Sequence, residues 1–160
     1  DDRSGELLAE RIAEDGHVLA SRMIVTDDVD RITARLQDWI EDPQIDVIVT
    51  TGGTGLTGRD STPEAFDRTV EKAIPGFGEL FRQLSYEKIG TSTIQSRAVA
   101  GVAGGTYLFA LPGSPSGCRD GWDDILRYQL DIRHRPCNFV EIMPRLTESA
   151  SRRRPSPVDA

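Results

Sequence analysis

Cysteine, histidine and long apolar runs are all scarce in this chain of 160 residues. The two cysteines, Cys118 and Cys137, give neither a disulfide framework nor a pair at the spacing of metal ligands, which fits a reducing cytoplasm. No apolar run approaches the ~18 residues of a membrane span, and no secretory signal is visible. His17 and His134 offer no Ser–His or Cys–His pair for nucleophilic catalysis. These absences argue against disulfide-stapled and membrane-spanning classes, and we expect a cytoplasmic protein.

Basic residues are outnumbered as well. The chain has 19 Lys and Arg against 26 Asp and Glu, a net charge of -7 at pH 7. This balance argues against nucleic acid and against an anionic membrane surface as partners. An anionic ligand would therefore need local donors or a metal ion. Length and a hydrophobic content of 38% predict one domain over residues 1–146, and a disordered tail over residues 147–160 that contains three consecutive arginines.

Glycine is abundant by contrast, and it is concentrated after one apolar run. The β-branched run that begins at Val47 is typical of a buried strand, and four glycines then fall within seven positions, from Gly52 to Gly58. Ser61 or Thr62 as N-cap, followed by Pro63, predicts the start of a helix. Strand, loop and helix N-terminus together present backbone N–H groups and a positive dipole end to an anion. Because open α/β sheets hold ligands at the carboxyl ends of parallel strands, we expect a phosphate here.

Two familiar phosphate motifs do not fit this loop. A P-loop needs Lys followed by Ser or Thr after its last glycine, whereas Gly58 is followed by Arg59 and Asp60. The dinucleotide fingerprint matches residues 53–58 by letter, but further residues separate Gly58 from the helix start. A plain glycine-rich turn between a strand and a helix is the alternative to a phosphate site, and the loop by itself leaves both open.

A second strand–loop–helix unit follows later in the chain. A clear strand from Thr106 to Leu111 runs into Pro112, Gly113 and Ser114, and a helix with an apolar stripe comes next. Two such units, side by side in a parallel sheet, would bracket one ligand between their loops. The two units together therefore predict a binding site at the carboxyl ends of two strands.

Apolar periodicity predicts the remaining elements. Residues 1–15 open in a polar loop and continue as a helix with an apolar stripe. Further helical stripes cover residues 29–41, 63–73 and the segment after Pro75, and an apolar run predicts a strand over residues 18–25. Ser4 is one candidate for the N-cap of the first helix, and Gly16 is the residue expected to close it.

Several motifs resemble, in the same order, the signature of the MoaB/MogA family of molybdenum cofactor biosynthesis proteins, whose domain also occurs in gephyrin and in plant molybdopterin adenylyltransferases. They lie at residues 50–55, 59–60, 62–65, 75–79, 91–93, 96–101 and 111–114. Residues 81–90 and 135–139 are similar to the MoaB branch in particular. The resemblance covers roughly residues 1–139. It implies a three-layer α/β/α fold with a mostly parallel sheet.

The chemistry that this resemblance implies is adenylyl transfer, in which molybdopterin and ATP give adenylylated molybdopterin and pyrophosphate. The nucleophile is a phosphate that is already ionised at neutral pH, so no side-chain base is needed. Charge that develops around the α-phosphorus is relieved by Mg²⁺ and oriented N–H donors. Because Mg²⁺ takes one or two carboxylates plus phosphate oxygens, we expect Asp27 and Asp60 to be the catalytic and metal-holding residues. The residues expected to bind substrate are Thr51, Gly52, Gly53, Thr54, Gly55, Ser96, Arg97, Pro112, Gly113 and Ser114.

Structural alternatives exist for the charged residues in this set. Asp27 or Asp28 can cap the next helix, Asp60 can cap the helix at Thr62, and Arg97 can be a solvated helix residue. In adenylylating members of the family, an acid stands at the position of Asp27 within an Ile-Val-Pro-Asp-Glu type of motif. Residues 24–28 keep the acid and lose the proline.

The resemblance also leaves the activity open. A catalytically inactive MoaB-type protein that binds molybdopterin or acts as a scaffold is the main alternative. A nucleotide-binding regulatory domain of the competence-damage type shares the fold but lacks the matches at residues 81–90 and 135–139. A homo-oligomer, trimer or hexamer, is implied in either case. Family members carry a strand before the first helix, so we expect that the native N-terminal strand, and part of the nucleotide site, is missing from this sequence.

Overall fold

A computed structural model describes residues 1–149, which form a four-stranded sheet flanked by helices. The strands are β1 (Val47–Thr51), β2 (Lys72–Ala73), β3 (Val99–Ala103) and β4 (Thr106–Leu111), in the order β1-β4-β3-β2. The helices are α1 (Arg3–Glu14), α2 (Val29–Glu41), α3 (Thr62–Thr69), α4 (Pro75–Ile89), α5 (Pro115–Gly121), α6 (Arg127–Gln129) and α7 (Phe139–Ile142). A π-helical turn (Trp122–Leu126) joins α5 to α6, and 3₁₀ turns follow α4 (Gly90–Gln95) and α7 (Met143–Arg145). The predicted disordered tail lies, from residue 150 onward, outside the described residues.

The α/β class is confirmed, and the sheet is mixed. β1 runs parallel to β4, with Thr51 opposite Leu111, whereas β4 with β3 and β3 with β2 are antiparallel pairs. The resemblance implies a mostly parallel sheet, but the pairing of β1 with β4 is the one parallel pairing of the three that the structure describes. The physical reason lies at Gly104 and Gly105, whose φ values of 56° and 83° form a two-residue hairpin between β3 and β4. A Gly-Gly pair is the sequence signal for that hairpin.

Two apolar cores cover the two faces of the sheet and make three layers. Successive strand residues point to opposite faces, so on β4 Phe109 and Leu108 belong to different cores. The Phe109 side packs against α1, α4 and the α5–α6 segment, with Trp122 fully buried. The Leu108 side packs against α2 and α3 through Leu36 and Phe66. Every residue of β4 is buried, and β1 pairs with it along its length. The carboxyl ends of these two strands therefore fix where the loops after them begin.

The helix over residues 29–41 is confirmed, while two other helix boundaries differ. The predicted helix over residues 63–73 ends at Thr69, because Glu71 N–H and Ile74 N–H donate to carbonyls of β3 and draw residues 72–73 into the sheet. At α1 the N-cap is Asp2, whose carboxylate accepts from Gly5 N–H at 3.0 Å. Ser4, the candidate cap in the sequence, is therefore not the N-cap and lies inside the helix.

The predicted strand over residues 18–25 is wrong as well. This segment has no strand pairing within residues 1–149, and Val18 and Ile24 are 89% and 77% exposed. An extended segment becomes a strand only when its backbone pairs with a neighbour. Here a groove of about 1650 Å³ lies between the segment and β1, so the two backbones do not meet. Among residues 1–149, the helices are too short or too polar to cross a membrane.

Candidate functional site

The first loop, residues 52–61, leads from β1 to α3 and begins with two glycines in a left-handed conformation. Gly52 and Gly53 have φ values of 97° and 70°. Gly52 N–H still donates to Leu111 at the end of β4, whereas no acceptor within residues 1–149 takes up the N–H of Gly53 or Thr54. Thr62 donates its hydroxyl to the Gly52 carbonyl at 2.9 Å. The loop therefore turns sharply away from the sheet near the start of α3, and the N–H groups of Gly53 and of the buried Thr54 have no partner within residues 1–149.

Asp60 organises the far part of this loop instead of capping α3. One carboxylate oxygen accepts from Thr57 N–H at 2.8 Å and from the Thr57 hydroxyl at 2.9 Å. Hydrogen bonds from Thr57, with further help from Gly55 N–H and from the charge of Arg97, hold the pKa of the Asp60 carboxyl below its usual value. Ser61 is the N-cap position of α3 and makes no side-chain cap hydrogen bond. The alternative that Asp60 caps that helix is therefore wrong.

Arg97 lies against the first loop, and Ser96 precedes it just before β3. Arg97 donates to the Gly55 carbonyl at 2.7 Å and the Asp60 carbonyl at 3.1 Å, and it forms an ion pair with Glu64. The Ser96 hydroxyl accepts from Ala98 N–H at 3.3 Å. The alternative of a solvated Arg97 is wrong, and its expected contact with a substrate phosphate stays a prediction.

The second loop, residues 112–114, leads from β4 to α5 and is fixed by small polar side chains. The Pro112 carbonyl accepts from the Thr51 hydroxyl at 2.8 Å and from the Cys118 thiol at 3.2 Å. Burial raises the pKa of the Cys118 thiol, which keeps it protonated as a donor. Ser114 is the N-cap of α5 and accepts from Gly117 N–H at 3.1 Å. These bonds hold the second loop directly beside the end of β1.

The two loops meet at a pair of glycines, as two strand–loop–helix units side by side predict. A Cβ atom built on Gly113 would lie 3.3 Å from Gly52 Cα, so a side chain there would push the loops apart. The Ser4 hydroxyl of α1 donates to the Gly113 carbonyl at 2.7 Å, so the start of α1 lies against the place where the two loops meet. A pocket of about 390 Å³ lies there, bounded by Thr51, Gly52, Gly113 and the first residues of α1.

Asp27 and its neighbour Asp28 have different surroundings. Asp28 is the N-cap of α2, and its carboxylate accepts from Arg31 N–H at 2.9 Å. Asp27 is exposed, and within residues 1–149 its carboxylate forms no hydrogen bond or ion pair. It lines the groove beside β1 together with Thr51 and Gly52, and Asp60 is not among the residues that line this groove. The groove beside β1 is therefore lined by Asp27 and not by Asp60.

In the part of the chain that the structure describes, no three His, Cys, Asp or Glu side chains lie close enough together to bind a metal ion by themselves. Asp27 and Asp60 fit Mg²⁺ only as single carboxylates that share the ion with phosphate oxygens and water. The histidines lie outside both loops: His17 packs edge-on against Trp122, and His134 lies against Tyr128.

Sequence reasoning missed Ser4, Glu64 and Cys118 as parts of the site. Ser4 contacts a residue 109 positions away, and Cys118 contacts Thr51 at a separation of 67, so no local pattern could reveal either. Glu64 shows a signal, because it is an acid in the first turn of a helix that follows a glycine-rich loop, but that pattern normally indicates interaction with the helix dipole.

Comparisons with known proteins agree with this arrangement. A family model for a probable molybdopterin binding domain matches residues 1–132. Molybdenum cofactor biosynthesis protein B of Escherichia coli (strain K12) is 49% identical over 139 residues, which are 87% of this chain and 82% of that protein. A crystal structure of a molybdenum cofactor biosynthesis protein B superposes with a TM-score of 0.82 at 37% identity, covering 92% of this chain and 87% of that chain.

A further solved structure, the tungsten cofactor synthesizing protein MoaB from Pyrococcus furiosus, is 38% identical with a TM-score of 0.71 and covers 79% of each chain. These matches extend over both loops and most of the sheet. The chain belongs to the MoaB/MogA family of molybdenum cofactor biosynthesis proteins.

Proposed function

We propose that this protein acts in molybdenum cofactor biosynthesis as a molybdopterin adenylyltransferase that uses ATP and Mg²⁺. The observation that carries the proposal is the meeting of two strand-end loops at Gly52 and Gly113. In the first loop the N–H groups of Gly53 and Thr54 have no acceptor within residues 1–149. Such a cradle suits the phosphate groups of a pterin and a nucleotide. Membership of the family, with relatives named for this cofactor's synthesis, supports the choice of substrate.

The proposed reaction needs no side chain as nucleophile or as base. An oxygen of the molybdopterin phosphate attacks the α-phosphorus of ATP, and the new P–O bond forms as the bond to the β-phosphate bridge breaks. Pyrophosphate leaves with the electron pair, and no side chain has to take up a proton. The chain's own contribution is to hold phosphate oxygens at the N–H groups of the first loop and the N-terminus of α3.

Asp27 and Asp60 are the carboxylates proposed to hold Mg²⁺ and position the phosphates. When bound, Mg²⁺ would neutralise charge that builds up on the phosphate oxygens. Asp60 is fixed by its two hydrogen bonds from Thr57, whereas Asp27 has no partner within residues 1–149 and is therefore available to an ion. The homo-oligomer of three or six copies stays a prediction.

A protein that binds molybdopterin without turnover is the second candidate. The observation in its favour is that the groove beside β1 is lined by Asp27 and not by Asp60. In that case the loops would still bind phosphate, because their N–H groups do not depend on either carboxylate.

Turnover of ATP to pyrophosphate with molybdopterin and Mg²⁺ tests the proposal. We expect Asp27→Asn and Asp60→Asn each to lower kcat by about 10²-fold or more, because each removes a charge that positions the metal and the phosphates. Circular dichroism and thermal unfolding show whether the variants keep the fold.

Matched controls are available beside each carboxylate. Asp28→Asn keeps an N-cap side chain on α2, since Asn caps as well as Asp, and Asp67→Asn removes an exposed charge from α3. Both controls should retain kcat within about twofold. A wild-type protein that binds molybdopterin tightly and releases no pyrophosphate would overturn the enzyme proposal and leave the binding protein.

A further inference from the structure

Arg97 contacts the first loop through both its backbone and its side chain. Its N–H donates to the Thr54 carbonyl at 2.8 Å, and its Nε donates to the Gly55 carbonyl at 2.7 Å. Its Nη2 donates to the Asp60 carbonyl at 3.1 Å, and Nη1 donates to the Glu64 carboxylate. Four positions of the first unit are therefore tied to one arginine.

The two side-chain contacts to carbonyls lie on either side of the loop's exposed tip. Residues 56–59 are exposed, and Gly55 and Asp60 flank them. A guanidinium carries five N–H donors in one rigid plane, so it can bond two carbonyls and a carboxylate at the same time. The Arg97 side chain is 31% exposed, so it is less accessible to water than its partner Glu64 at 46%. Arg97 therefore closes the turn from Gly55 to Asp60.

The direction of the Asp60 carboxylate depends on that turn. The carboxylate accepts both of its side-chain hydrogen bonds from Thr57 at the tip, at 2.8 Å and 2.9 Å. It also packs closely over Gly55, where an added Cβ would lie 2.7 Å from its oxygen. Thr57 and Gly55, which both contact the Asp60 carboxylate, thus belong to the turn from Gly55 to Asp60 whose two ends bond to Arg97.

We propose that Arg97 is a positioning residue for adenylyl transfer: it fixes the turn from Gly55 to Asp60, and so aims the Asp60 carboxylate, instead of contacting a substrate phosphate. Glu64 holds the guanidinium in the required plane. The kinetic part of this inference rests on the proposed function, and the structural part does not.

Hydrogen exchange of the Thr57 amide, followed by NMR in the ligand-free protein, tests the structural part. We expect Arg97→Gln to speed this exchange by about tenfold or more, because the released turn no longer keeps the amide on Asp60. Arg59→Gln is the matched control, since Arg59 lies in the same loop and has no side-chain partner within residues 1–149. Unchanged exchange at Thr57 in Arg97→Gln would overturn the proposal.

Steady-state kinetics test the functional part. We expect Arg97→Gln to lower kcat by about 10- to 100-fold, with KM for ATP and molybdopterin within about threefold of wild type, since misplacement of a reacting group slows chemistry. Arg97→Lys should recover part of the loss, because a single ammonium reaches fewer of the acceptors. A rise in either KM with kcat unchanged would show instead that Arg97 binds the substrate directly.

A double-mutant cycle separates positioning from independent effects. If Glu64 acts through Arg97, Glu64→Gln lowers kcat in the wild-type background and has no further effect in Arg97→Gln. Additive losses would contradict that coupling. If the wild type does not turn over ATP, the proposed function fails, while the exchange experiment still decides whether Arg97 holds the turn.

Discussion

The two strand-end loops both connect a strand to a helix, but different kinds of contact hold them in place. The first loop spans residues 52–61, and it is held by a carboxylate, a guanidinium and hydroxyls. The second spans residues 112–114, and it is held by close packing, a buried thiol and neutral hydroxyls. The long loop exposes its middle to water and is held by polar groups of its own and of Arg97, whereas the short loop is placed by the strand and the helix on either side.

This difference decides what each loop is sensitive to. The charged contacts of the first loop are exposed enough for water to screen them, so they determine geometry more than stability. The neutral contacts of the second loop are partly buried and include the buried side chains of Ser4 and Cys118, so losing one leaves a polar group that water reaches poorly without a partner. We therefore expect charge changes to disturb the site at the first loop, and changes of shape or of buried hydroxyls to disturb stability.

The largest effect on stability should come from Gly53, where close packing against α3, and not a charged contact, restricts the backbone of the first loop. Gly53 has a φ of 70°, and a Cβ there would lie 2.4 Å from Thr62 Oγ1 and 3.4 Å from Thr62 N. We expect Gly53→Ala to lower the free energy of unfolding in urea by about 2–4 kcal/mol, from backbone strain and overpacking together.

Gly58→Ala is the control within the same loop. A Cβ at Gly58 meets no atom within 4 Å, and the φ of Gly58 lies outside the left-handed region. Its free energy of unfolding should stay within about 0.5 kcal/mol of wild type. Equal losses in the two variants would show that the whole loop is packed as tightly as its first turn, and the contrast between the loops would fail.

A smaller effect distinguishes two adjacent threonines at the end of β1. The Thr51 hydroxyl donates to Pro112 of the second loop, and we expect Thr51→Val to cost about 1 kcal/mol. The Thr50 hydroxyl is buried and has no hydrogen-bond partner within residues 1–149, so Thr50→Val should be neutral or stabilising. Urea unfolding of both variants measures the difference. A loss at Thr50 that equals the loss at Thr51 would contradict the assignment of the second loop's support to Thr51.

The sequence could predict those parts of the fold that local patterns encode. The bounds of α2 and β4 follow from apolar periodicity, and both loops follow from glycine, proline and hydroxyl residues after a strand. Pairing is not local, so the strand expected over residues 18–25 did not form, and β3, with its small side chains, was missed. The end of α3 was misplaced for the same reason, because β3 takes up the backbone groups that would have extended it.

The candidate site shows the same division. Asp60 stands out in sequence through its motif, and its partner Thr57 is three residues away. The contacts of Arg97 with Gly55, Asp60 and Glu64 span 33 to 42 residues, so sequence alone could place a cation near the loop but could not say what it bonds. The roles of Asp27 and Asp60 toward a metal stay predictions, because they depend on a substrate that brings its own oxygens.

The smallest expected effect is the response of the first loop to acid. The pKa of the Asp60 carboxyl lies below its ordinary 3.8, first because Thr57 donates hydrogen bonds to it, and the pKa of Glu64 is lowered by its hydrogen bond from Arg97. A carboxyl whose pKa is lower in the folded state stabilises that state above the unfolded pKa, and this contribution is lost as the pH falls through the folded pKa. The effect is small because Asp60 is solvated. The second loop contains no carboxylate and should not respond.

Thermal unfolding of wild type and Asp60→Asn between pH 7 and pH 2 measures this response. We expect the wild type to have the higher midpoint at pH 7, and the difference to shrink once the pH falls below about 4. Asp67→Asn serves as the control, because that aspartate has no partner within residues 1–149 and its removal should leave the pH response unchanged. A difference that stays constant down to pH 2 would mean that the charge of Asp60 does not hold the turn. The first loop would then rest on the same neutral contacts as the second.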